Sequence, residues 1–149
     1  MNNKRKLWSI TAMVIFFLML IWIGSMPIRK NVSLRSLKKE VDSISLPADI
    51  EKISLKSGIG DSGGNGDYST LRVVLAVKTD LNKHELKGAI ESMNLRFLKH
   101  YKNSGNTPKF YVAECKNSRF ESPRQFELDF DELKGISDYK NYYFIEFVE

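Results

Sequence analysis

The residues best suited to chemistry lie between two strand-like stretches, in Ser57-Gly-Ile-Gly-Asp-Ser-Gly-Gly-Asn-Gly-Asp-Tyr68, which holds five glycines in nine positions. Gly58, Gly60 and Gly63 spell a literal G-x-G-x-x-G. That pattern binds a dinucleotide only when a helix N-terminus follows and meets the pyrophosphate. Here strand-like residues follow, so the match is formal, and with no Lys-Ser or Lys-Thr after the glycines a P-loop fails too. Asp61, Asn65 and Asp67 offer hard oxygen ligands of the kind calcium takes, but neither the EF-hand register nor the repeated G-G-x-G-x-D register is met. What remains is a loop whose backbone a partner can approach closely, and Gly58, Gly60, Asp61, Gly63, Gly64, Asn65, Gly66 and Asp67 are its candidate contacts.

Other reactive side chains are scattered. Cys115 is the only cysteine, so no disulfide forms within the chain; it is either a small buried hydrophobe or a nucleophile needing a nearby base. His84 and His100 are sixteen residues apart on one expected helix. That is about 24 Å, too far to share a metal. Glu127, Asp129, Asp131 and Glu132 suggest an acidic catalytic patch, but the first three project from one side of an alternating strand, which reads as its wet face before it reads as an acid-base site. No cofactor and no metal are expected, and binding is favoured over catalysis.

These residues are positioned by one expected domain of α+β class. Ile53 and Leu55 alternate with polar residues, as do Leu71, Val73, Leu75 and Val77. Asn82 and Glu85 form a capping box with Leu81 and Leu86 as its staple, opening a helix from about Lys83 to Lys102 through Ala89, Ile90, Met93, Phe97 and Tyr101. Further strands are expected at Lys109 to Lys116, around Phe126, Leu128 and Phe130, and at Tyr142 to Val148. The last is apolar on both faces and so suits a central position. The expected order is β-β-α-β-β-β, a mostly antiparallel sheet with one long helix packed across it.

Ahead of the domain stands an apolar run from Leu7 to Ile23, preceded by Lys4, Arg5 and Lys6. Its seventeen residues make about 25 Å of helix, and continuing to Ile28 gives about 33 Å, enough for a hydrocarbon core of about 30 Å. Leu7, Trp8, Phe16, Phe17, Trp22 and Ile23 are its membrane-anchor residues, with the two indoles about 21 Å apart and suited to opposite interfaces. A cleaved signal peptide fits less well: the run is long, and bulky Ile23 or Trp22 falls where a small residue is needed. The expected organisation is tail and anchor over 1–28, a basic juxtamembrane linker over 29–46, and the α+β domain over 47–149.

Charge sharpens this division. All eight basic residues up to Lys39 precede the first acidic residue, Glu40, and the 15 basic residues beyond it face 18 acidic ones. The overall +5 is therefore juxtamembrane, and a nucleic-acid surface is not indicated. Arg29, Lys30, Arg35, Lys38 and Lys39 are placed to meet anionic lipid headgroups or to fix topology. In the same linker Leu34, Leu37, Val41 and Ile44 form an apolar seam of barely two heptads, better suited to packing against the domain or membrane surface than to a dimer zipper. The expectation is a single-pass cell-membrane protein whose domain faces outside and binds an unknown protein or envelope component. The alternatives are a membrane-anchored hydrolase and a cytoplasm-facing regulator of another membrane protein.

Overall fold

A computed structural model of the chain describes residues 2–61, 69–93, 109–122 and 126–148. Its elements are α1 (Asn2–Asp42), β1 (Ile50–Asp61), β2 (Ser69–Thr79), α2 (Lys83–Ser92), β3 (Lys109–Glu114), β4 (Arg119–Ser122), β5 (Phe126–Asp129) and β6 (Tyr142–Val148), with a 3-10 turn at Asp131–Leu133. The chain divides into two compact units, Met1–Ser33 and Leu34–Glu149.

In the first unit the run of apolar side chains without an acidic residue forms one helix, exposed from Ile10 to Gly24. With a mean hydropathy of 2.1 and none of that window buried, α1 is long and apolar enough to cross a membrane.

The second unit is α+β. β1, β2, β6 and β3 lie in that order in a four-stranded sheet, and every pairing is antiparallel. Because successive strand residues point to opposite faces, the alternation in β2 builds two cores. Val73, Leu75 and Val77 join Tyr143, Ile145 and Phe147 of β6 on one face, and there Leu86 and Ile90 of α2 are buried with Leu37, Val41 and Ile44. On the other face Val74, Ala76 and Phe144 pack with Phe120, Phe126, Phe130, Leu133 and Cys115. β6, apolar on both sides, is central as its composition requires.

Three expectations are corrected. First, β1 continues through Asp61 and pairs Gly58 with Arg72 and Gly60 with Thr70, so the first part of the glycine-rich segment is strand. Second, α2 ends at Ser92, because the cap Met93 has ψ 113, outside the helical range. Its capping box is present, but the continuation to Lys102 falls outside the described residues. Third, the strand around Phe126 leaves the main sheet and pairs with β4, a short strand that alternation did not reveal. The linker seam packs against the domain, one of the two places expected for it: Leu37, Val41 and Ile44 are buried in its core, and the second compact unit begins at Leu34.

Candidate functional site

Gly58 and Gly60 have a packing reason to be glycine. A Cβ on Gly58 would stand 2.7 Å from Cε2 of Phe126, and one on Gly60 would stand 2.7 Å from Nε of Arg72. Both distances are closer than a real side chain tolerates, so these two residues leave room for side chains that cross over β1. Gly60 is buried and Gly58 half-buried. Their place among the partner contacts is corrected accordingly, because what approaches their backbone is the domain itself. Asp61 ends β1, while Gly63, Gly64, Asn65, Gly66 and Asp67 lie outside the described residues.

Arg72 is the polar centre of this region. It is 2% exposed, and its Nη1 lies 2.5 Å from Oε1 of Glu146, itself 5% exposed. The same Nη1 donates to Ser122 Oγ at 2.6 Å, and Nε donates to Thr70 Oγ1 at 3.1 Å. The guanidinium carbon stands 5.3 Å from the Phe126 ring centroid. A buried charge is tolerated when paired and hydrogen-bonded, and this one is both. The cluster joins β2 and β6 of the sheet to β4 and β5 of the hairpin. Sequence reading missed it, although a single Arg and a single Glu in two otherwise apolar strand cores were visible as Arg72 and Glu146.

The candidate nucleophile is closed off. Cys115 is 6% exposed, and burial pushes its thiol up to about 12, so the thiolate is scarce at neutral pH. His84 is exposed in the first turn of α2, and His100 lies outside the described residues. The acidic strand is engaged in ion pairs: Arg119 lies 3.2 Å from Glu127 and 3.0 Å from Asp129. Lys134 lies 2.6 Å from Asp131, and its hydrogen bond holds that carboxyl below the usual range. A general acid needs the opposite shift. Among the described residues no group of three or more His, Cys, Asp or Glu side chains is placed to hold a metal.

A cleft of about 290 Å³ is lined by Lys78, Asp138, Lys140, Asn141 and Tyr142. Within it Asp138 accepts from the Lys140 backbone N–H at 2.9 Å, Asn141 donates to Asp80 at 2.7 Å, and the Lys78 amine stands 5.7 Å from the Tyr142 ring centroid.

Of the anchor residues, Trp8, Phe16, Phe17, Trp22 and Ile23 are all more than half exposed, and the side chain of Leu7 lies outside the described residues. Arg29, Lys30, Arg35 and Lys39 are exposed and Lys38 is half-buried. No protein-family model matches the chain, and neither a curated protein nor a solved structure matches it.

Proposed function

We propose that this is a single-pass membrane-anchored protein whose α+β domain is a non-enzymatic binding module outside the membrane. The observation that carries the reading is the exposed apolar surface of α1, which includes both indoles and would be costly in water but is at home in hydrocarbon. Binding in place of catalysis is supported by the buried, protonated Cys115 thiol and by the ion-paired carboxylates of β5, the two features a hydrolase would have used. The partner is a protein or envelope component, and its contact is the glycine- and aspartate-rich segment from Asp61 to Asp67, whose residue types let a partner approach the backbone closely.

A second reading, a cytoplasm-facing regulator of another membrane protein, is favoured by one observation. Five basic residues follow the apolar run within the linker and three precede it, which weighs toward a cytoplasmic domain under the positive-inside rule.

Alkaline carbonate extraction of membranes tests the anchor. The chain is expected to stay with the bilayer and to leave it only in detergent, whereas a Phe16→Asp, Phe17→Asp variant is released. Release of the unaltered chain by carbonate would overturn the reading.

A further inference from the structure

We propose that the cleft where β2 ends and β6 begins binds a small zwitterion, a free α-amino acid, whose carboxylate meets Lys78 and Lys140 and whose ammonium meets Asp138. The inference goes beyond the membrane reading and does not rest on it, because every residue lining the cleft belongs to the second unit.

The frame of the cleft is built by hydrogen bonds. Lys78 of β2 stands opposite Tyr142 of β6 in the antiparallel register. The Thr79 N–H donates to the Asn141 carbonyl at 2.9 Å and the Tyr142 N–H to the Tyr139 carbonyl at 3.0 Å, so the segment entering β6 is held against the sheet. Within that segment the Lys140 N–H donates to Asp138 Oδ1 at 2.9 Å, and Asn141 Nδ2 donates to Asp80 at 2.7 Å. These bonds set the Asp138 carboxylate in place before a ligand arrives, which lowers the ordering cost of binding. A carboxylate offers about four acceptor positions, so one backbone N–H leaves Asp138 able to accept more.

The charges lining the cleft do not pair with one another. Among the described residues no ion pair takes up Lys78, Asp138 or Lys140. All three are exposed around one concavity. The Lys78 ammonium is instead set over the Tyr142 ring, 5.7 Å from its centroid. Two cations favour an anion here, while the Asp138 carboxylate opposes one that carries no positive charge. A molecule with both groups meets both signs. Size narrows the class further, because the volume of about 290 Å³ lies at the small end of the range of about 300–1,000 Å³ for small-molecule sites. That suits a single amino acid, and the half-buried Tyr142 offers its side chain an aromatic surface in an otherwise polar lining.

The test is an NMR titration of the isotope-labelled full chain in detergent micelles with each common amino acid in its free form, as its N-acetyl derivative and as its amide. At least one free amino acid is expected to shift the backbone amides of Lys78, Lys140 and Tyr142 saturably at millimolar concentration. Removing either charge from that amino acid should weaken binding about tenfold, the worth of one hydrogen bond to a charged group. Asp138→Asn, which keeps an oxygen for the Lys140 N–H, should weaken the free amino acid by as much and leave the N-acetyl form no weaker, since that form has no ammonium. Lys78→Gln with Lys140→Gln should abolish binding of both. These side chains are exposed, so the variants are expected to keep the amide spectrum of the rest of the domain. An N-acetyl form that binds as tightly as the free amino acid would make the cleft a plain anion site and overturn the proposal. The absence of a saturable shift with every free amino acid would overturn it as well. Either result leaves the anchor standing, which carbonate extraction tests separately.

Discussion

The Phe126 ring of β5 occupies the space into which a Cβ at residue 58 would project, with 2.7 Å between the two positions. This contact fixes the two-stranded hairpin over the edge strand β1 and explains a glycine that local sequence assigns to a loop.

Gly58→Ala is therefore expected to destabilise the domain. Overpacking costs about 1–3 kcal/mol, more than the 0.4–1 kcal/mol gained by stiffening the unfolded chain. Denaturant unfolding of Gly58→Ala, Phe126→Leu and the double variant checks this. The double variant should be more stable than the sum of the two single effects, because the smaller side chain gives the new methyl room.

The Arg72–Glu146 pair should show the asymmetry of buried charges. Glu146→Ala leaves a guanidinium that is 2% exposed without its carboxylate, at a cost of about 3–5 kcal/mol. Replacing both residues by Met should recover much of that loss, and thermal unfolding of the three variants measures it. Equal damage from the single and double changes would mean that the hydrogen bonds to Ser122 and Thr70 matter more than the pair.

Residues before Pro47 are expected to behave as core. Leu37→Ala removes a fully buried side chain and should cost about 2–5 kcal/mol. Lys39→Ala, two residues on and exposed, should change stability by less than about 0.5 kcal/mol. Chemical unfolding of the detergent-solubilised chain separates them.

Cys115 gives the domain an alkaline sensitivity. Its thiol ionises near 9.0 when unfolded but is pushed to about 12 in the fold. The folded state therefore holds the proton more tightly: the contribution is complete below pH 9 and is lost as pH rises toward 12. In that window it falls by about 1.4 kcal/mol per pH unit. The stability difference between the native chain and Cys115→Ala should narrow with that slope, and a thiol reagent at pH 8 should react only with unfolded protein.

How much was legible depended on the range of the cause. The apolar run, the alternation of β2, the capping box at Asn82 and the two-sided apolarity of β6 are local patterns, and each element formed where its pattern stands. Gly58 and Gly60 read as loop because glycine is a local turn signal, while Phe126 and Arg72, which require them, are remote in sequence or across the strand pair. β4 has four residues with one buried, too few for a periodicity to register. Leu37, Val41 and Ile44 were recognisable as an apolar face, but only the fold shows that this face belongs to the domain core. Of the candidate site, Asp61 ends a strand and the stretch from Gly63 to Asp67 is outside the described residues, so the partner contact stays a reading of residue type.

The most direct test of the central claim is the sidedness of the domain. In a Cys115→Ala background a single cysteine replaces the exposed Lys116, and intact and lysed cells are treated with a membrane-impermeant maleimide. A membrane-anchored outer domain predicts full labelling in intact cells, with the labelled chain in the membrane fraction. Labelling only after lysis would contradict it and make the cytoplasm-facing regulator the account to pursue.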